Sequence, residues 1–246
     1  MSVRLNLGCG HKTAASFVNI DWSPLLRVAK SPVMKFAIAP FLSKERRARM
    51  AADVGDIRVH NLSKGIPYPD NSVDAIYHSH LMEHIDRAHV PGFLAEIRRV
   101  LKVGGIHRIC VPDLETLARE YLKSLEDAAS SGRANGHEKT IEDMIEQSVR
   151  REAHGSSLQP PVRRALENFL FGDARSRGET HQWMYDRISL PALLAQEGFS
   201  DVRIASWNKS EIPGWSEAGL ECTQTGEEYK PGSLYVECRK AVVLDR

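Results

Sequence analysis

Cysteine is scarce: the chain has 4, at positions 9, 110, 222 and 238, and none forms a C-x-x-C pair. That excludes a disulfide scaffold and a cysteine zinc knuckle, and leaves thiols expected to stay reduced in a cytoplasmic setting. A surplus of either charge is missing too, since 33 Lys and Arg stand against 32 Asp and Glu for a net charge of +1. Without a global basic footprint, nucleic acid is not an expected partner. No uninterrupted apolar run approaches a membrane span, and the opening MSVRLNLGCG lacks an apolar leader core. The expectation is a soluble protein, at most peripheral to a membrane. Internal repeats and low-complexity tracts are also absent.

What remains is ordinary globular composition, 42% hydrophobic and 26% charged over 246 residues. It points to one elaborated domain spanning 1–246. Short apolar runs end at Gly8-Cys9-Gly10 and at Asp21, and others cover Ile57–His60, Val73–Tyr77, Ile106–Val111, Val202–Ala205 and Leu234–Cys238. All read as strands. Leu94, Ile97, Val100 and Leu101 recur at helical spacing, with Gly104-Gly105 expected to close that helix. Ser189 is expected to cap another helix, with Pro191 in its first turn and Gly198 after its end. Helical insertions are expected at 22–52, where Pro24, Pro32 and Pro40 break short helices, and at 114–178. Alternation of strands and helices gives an α/β, doubly wound, mostly parallel sheet.

A strand that ends in Gly8-Cys9-Gly10 lets a ligand approach backbone N–H groups that a Cβ would obstruct. The dinucleotide fingerprint would need glycine at 13, where the chain has Thr13. Asp21, at the end of the second strand, can accept both hydroxyls of a ribose, because a carboxylate offers several acceptor sites and no donor.

The blocks LNLGCG, VNIDWSP, HNLSKGIPYPDNSVDAIYHSHLMEHI and FLAEIRRVLKVGGIHRICVPDL, in this order, resemble a class I S-adenosylmethionine-dependent methyltransferase. HQWMYDRISLPALLAQEGF and YKPGSLYVECRKA resemble the tail of a bacterial subgroup of such enzymes. The resemblance implies a seven-stranded Rossmann-like sheet and S-adenosylmethionine as cofactor. Carried over by position, Gly8, Cys9 and Gly10 would face its methionine part, Asp21 its ribose, Asn61 and Leu62 its adenine, and Ser79 and His80 the floor beneath. Two departures stand out. Only residues 11–16 separate the first two strands, fewer than the roughly 10–12 residues that a helical crossover needs, so the usual first helix should be nearly absent. Asn61 also stands where an acid is common.

His80-Leu81-Met82-Glu83-His84 matches the H-x-x-E-H pattern of inverted zinc peptidases, which would put both imidazoles on one helical face. A zinc hydrolase using His80, Glu83 and His84 is therefore an alternative. It lacks an evident third ligand, and the expectation is that no metal is bound. In the methyltransferase reading His84, then His181, are candidate bases, since an imidazole titrating near neutrality suits an alcohol or phenol acceptor. Asp113, Trp183 and Tyr185 are candidate substrate contacts, and the acceptor is expected to be a small molecule or glycan methylated at oxygen. A cofactor-binding protein without catalysis is the other alternative. For 23–50, where basic and apolar residues interleave, two readings stand: packing over the sheet left bare by the missing helix, or a weak, salt-sensitive contact with anionic membranes.

Overall fold

The computed structural model describes residues 2–31, 33, 34, 36, 47, 56–131, 136–147 and 180–242. Seven strands form one sheet: β1 (Arg4–Leu7), β2 (Val18–Asp21), β3 (Ile57–Val59), β4 (Val73–Ser79), β5 (Leu101–Pro112), β6 (Phe199–Ala205) and β7 (Ser233–Lys240). Their order is β3-β2-β1-β4-β5-β7-β6. All neighbours are parallel except β7, which runs antiparallel to both β5 and β6. Among the described residues the α-helices with defined bounds are α1 (Pro24–Ala29), α2 (Val90–Val100), α3 (Leu114–Ser131), α4 (His137–Gln147), α5 (Ser189–Gln196) and α6 (Trp215–Ala218). The Rossmann-like, mostly parallel sheet expected from the sequence is present. Most of 23–50, and with it the membrane-contact expectation, lies outside the described residues, as do 132–135 and 148–179 of the second insertion.

Alternation along the strands sends two different sets of side chains to the two faces. Leu5, Leu7, Ile76, Ile109 and Val236 pack with Leu94, Ile97 and Val100 of α2 in the main core. Ala75, Tyr77 and Ile106 join a second cluster with Ala14, Phe17, Ile212, Trp215 and Leu220. No helix lies between β1 and β2. Two buried asparagines hold that short connection instead: Asn19 Oδ1 accepts from Ala14 N and Asn6 Nδ2, and Asn6 Nδ2 also donates to the Lys12 carbonyl at 2.8 Å. The sheet face beside it is covered by residues 206–221, with Trp215 edge-on to Tyr77 at 5.1 Å between centroids.

That covering segment is fastened by Arg108, fully buried on β5. Its guanidinium donates to the carbonyls of Ser206, Trp207 and Lys209 and to Glu221, lies 3.6 Å from Glu237, and stacks 4.4 Å from the Trp215 ring. A rigid fork of five donors suits this arrangement, which a lysine could not reproduce.

On the opposite face His78 and His107 place their Nε2 atoms 3.0 Å apart, both rings fully buried. Neither Nδ1 has a hydrogen-bond partner among the described residues. Burial pushes His78 down to about 3, and burial together with His78 pushes His107 well below its ordinary value.

Two boundaries differ from the sequence reading. α2 ends at Val100, and Leu101 already begins β5, whose pairing with β4 shifts register between Val73↔Leu101 and Ala75↔Ile106. Leu101 is apolar because a strand buries it, so the helical period ran on one residue too far. Ser189 is not the cap of α5: Asp186 Oδ1 accepts from Ile188 N and Ser189 N, and Ser189 Oγ turns back to accept from Asp186 N.

Arg108→Met should destabilise the protein by about 3–5 kcal/mol in urea unfolding, because removing one partner of a buried ionic group strands the others. The two neutral histidines make stability fall as pH drops. Unfolded, each gains a proton near 6.5, while folded His78 resists protonation until about 3. Their contribution is therefore complete above pH 6.5 and declines below it by about 1.4 kcal/mol per pH unit for each histidine. Urea midpoints measured from pH 7 to 4.5 should show a shallower slope in a His78→Leu, His107→Leu variant.

Candidate active site

At the C-terminal edge of the parallel strands, Gly8 (φ +62°) and Gly10 (φ +54°) take a left-handed conformation that a side chain would strain. A Cβ on Gly8 would come within 2.8 Å of the Leu81 side chain, whereas nothing lies within 4 Å of the Cβ position at Gly10. The backbone is thus bare toward a cleft of about 210 Å³, lined by the glycine corner, Ser79, His80, Leu220, Tyr229 and Lys230. Asp21 braces the corner: Oδ2 accepts from Gly10 N at 2.9 Å and Oδ1 from Ser23 N at 2.6 Å. Each carboxylate oxygen keeps a second acceptor site. Cys9 is buried, and burial, helped by the charge of Asp21, pushes its thiol up to about 12, so it stays protonated.

Asn61 and Leu62 follow β3 and, like Asp21, are not among the residues that line this cleft. Asn61 caps a single 3₁₀ turn, its Oδ1 accepting from Ser63 N, so the amide oxygen already has a partner. Asp113 caps α3, with Oδ1 accepting from Glu115 N and Oδ2 from Thr116 Oγ1. Trp183 is partly exposed beneath the Arg87 guanidinium, 3.9 Å from its ring centroid. Tyr185 is buried, its hydroxyl without a hydrogen-bond partner among the described residues, and burial and the charge of Glu83 push it up to about 12.

The H-x-x-E-H string is not helical in the way its spacing suggested. His80 is left-handed (φ +49°), and only Met82–His84 form one 3₁₀ turn. The two imidazoles therefore do not share a helical face. His80 Nε2 meets Ser233 Oγ at 2.9 Å, while His84 Nδ1 meets the Thr180 carbonyl at 3.2 Å. His84 and His181, 97 positions apart in the chain (181 − 84), bring their rings to 4.8 Å between centroids. Burial, reinforced by neighbouring positive groups, holds His80 down at about 2 and His84 at about 4, so both are neutral near pH 7. Glu83 is fully buried, and burial pushes its carboxyl up. Lys230 is pushed down by its own burial, against the pull of Glu83.

Lys12, Leu220, Tyr229 and Lys230 were not singled out from the sequence. Lys12 Nζ donates to the Cys222 carbonyl and sits 4.6 Å from the centre of the Tyr229 ring, tying the glycine corner to the far wall. A lysine two residues after a G-x-G was the available signal for one of them; the others come from distant parts of the chain.

A family model described as a methyltransferase domain matches residues 5–109. Among solved structures the chain is similar to a SAM dependent methyltransferase from Archaeoglobus fulgidus, at 12% identity over 97% of this chain and 86% of that one, with a TM-score of 0.43. It is similar to the YcgJ protein of Bacillus subtilis, at 13% identity over 98% and 93%, TM-score 0.43. A third is the partner of the Haloferax volcanii Trm112 methyltransferase activator in a solved complex, at 14% identity over 98% and 83%, TM-score 0.42. No curated protein matches the chain in sequence.

Proposed function

We propose that the chain, whose residues 5–109 match a methyltransferase domain model, is a class I S-adenosylmethionine-dependent methyltransferase that methylates an oxygen of a small-molecule or glycan acceptor. The observation that carries this reading is the pairing of two things at one sheet edge. One is a bare glycine corner braced by Asp21; the other is the pair of imidazoles, His84 and His181, just beyond His80. In the same reading 1–246 is one domain with insertions at 22–52 and 114–178, the second of them forming a cap.

The residues present fit the cofactor. Open space over Gly10 and a buried carboxylate with acceptor capacity beside it match a ligand that carries an ammonium, a carboxylate and a ribose diol. Gly8, Cys9, Gly10 and Asp21 would hold it, with Asn61 and Leu62 toward its adenine and Ser79 and His80 beneath; bound, it supplies an electrophilic methyl group on a sulfonium. An in-line displacement requires the protein chiefly to align the acceptor. The chain's own contribution is then to orient the acceptor and take its proton. His84 is oriented for the proton transfer, because its Nδ1–H is donated to Thr180, which leaves the lone pair on Nε2; burial, which holds it at about 4, makes it a weaker base than the free imidazole expected from the sequence. His181, its Nδ1 on the Gln147 carbonyl at 2.8 Å, is matched in tautomer. Trp183 and Tyr185 extend the acceptor side, and Asp113 supports it by capping α3.

S-adenosylhomocysteine should raise the melting temperature, since a ligand that binds only the folded state stabilises it by mass action, and Asp21→Ala should remove most of that shift. A shift with NADH and none with S-adenosylhomocysteine would defeat the assignment. For transfer, His84→Ala should keep the cofactor-induced shift and lower turnover by about 10²–10⁴-fold, the usual contribution of a positioned base. Full turnover at every pH in an assay of alcohol and phenol acceptors would remove His84 from the reaction.

A further inference from the structure

Glu83 presents a problem that the methyltransferase reading leaves unsolved. Its side chain is fully buried, and neither carboxylate oxygen has a hydrogen-bond partner among the described residues. Buried carboxylates are expensive unless they are hydrogen-bonded, protonated or met by a cation. The groups around it are not donors in good geometry but imidazoles: His80 Nδ1 lies 3.3 Å and His84 Nε2 3.9 Å from the same oxygen, Oε1. One ligand atom from each of Glu83, His84 and His181 falls within 4.8 Å of the other two.

The two histidines are held in the way metal ligands are held. A ligating imidazole commonly donates its other N–H to a carbonyl or carboxylate, which fixes tautomer and ring orientation. Here His84 Nδ1 is on the Thr180 carbonyl at 3.2 Å, and His181 Nδ1 is on the Gln147 carbonyl at 2.8 Å. Both arrangements put the lone pair on Nε2. Thr180, Gln182 and Trp183 are themselves drawn to this turn, the last two donating backbone N–H groups to the Glu83 carbonyl. The segment that brings His181 in is therefore anchored on the residue whose carboxylate has no hydrogen-bond partner among the described residues.

We propose that Glu83, His84 and His181 bind one divalent first-row transition metal ion. Two imidazole nitrogens and one carboxylate suit zinc, cobalt, iron or manganese; calcium and magnesium prefer all-oxygen sets, and copper(I) prefers thiolates and thioethers. Three protein ligands leave positions open, as in catalytic rather than structural sites. The Tyr185 hydroxyl, which has no hydrogen-bond partner among the described residues and is close enough for the charge of Glu83 to act on it, is a neighbour that could bond to whatever fills such a position. The arrangement differs from the H-x-x-E-H pattern: Glu83 is a ligand rather than a base, His181 replaces His80, and His80 turns to Ser233. As ligands the imidazoles would act on an acceptor through the metal, which lowers the pKa of a coordinated oxygen. That last role rests on the methyltransferase reading, whereas metal binding does not.

The Lys230 ammonium, whose charge also reaches Glu83, is the competing counter-ion, and a titration separates the two. Full-length protein stripped with a chelator and titrated with Co²⁺ should take up one equivalent with visible d–d absorption, displaced by Zn²⁺. His84→Ala, His181→Ala and Glu83→Gln should each weaken Co²⁺ binding by at least about tenfold. Glu83→Gln keeps the shape of the side chain and removes its charge, so it carries the test if an alanine variant fails to fold. Folded wild-type protein that takes up no stoichiometric Co²⁺ or Zn²⁺, or uptake unchanged in the folded variants, would overturn the proposal and leave Lys230 as the partner of Glu83. Since the S-adenosylhomocysteine melting shift is read separately, failure of metal binding is distinguishable from failure of the cofactor assignment.

Discussion

A guanidinium sealed from water cannot stand alone, and the arrangement around Arg108 follows from that constraint. A buried charge needs opposite charge and acceptors at good geometry. Arg108 obtains them from Glu221, Glu237 and three carbonyls close together in the chain, those of Ser206, Trp207 and Lys209. Satisfying it therefore fixes the path of 206–221 across the sheet. The same path sets Trp215 against Tyr77 and Phe17 and Leu220 at the cleft. Burial pushes Glu221 up to about 7 despite the adjacent cation.

The two faces of the sheet solve one problem differently. On the α2 side a helix with apolar residues at helical spacing covers the strands, and the polar exceptions, His78 and His107, are kept neutral by burial. On the other side the short β1–β2 connection brings no helix. An irregular segment from the far end of the chain takes its place, and irregular backbone must find partners for its carbonyls. Arg108 supplies several of them. A buried cation on one face and buried neutral imidazoles on the other are thus consequences of what covers each face.

Much of this was legible in the sequence. Strand positions, the glycine corner and Asp21 are local features, set by apolar runs and by the conformational freedom of Gly8 and Gly10. The missing first helix was legible too, because chain length between two strands is a hard limit. What the sequence hid is tertiary. Arg108 sits between Ile106 and Ile109, where alternation alone does not say whether a polar residue faces solvent or a buried partner more than 90 positions away. The grouping of Glu83, His84 and His181 needs the fold to join a turn after β4 to a segment before α5. The end of α2 was misread because Leu101 serves a strand while keeping step with the helix.

The helix that is absent after β1 has a consequence for how the cleft is charged. In a sheet with that helix, positive potential at the glycine corner would come from aligned peptide dipoles, a property of backbone that no substitution removes. Here the lysine side chains among the described residues lining the cleft are those of Lys12 and Lys230. Side-chain charge is local and open to alteration by a single base change. The electrostatic character of this cleft is accordingly heritable residue by residue, so lineages descending from such a chain can retune what it attracts without rebuilding its scaffold.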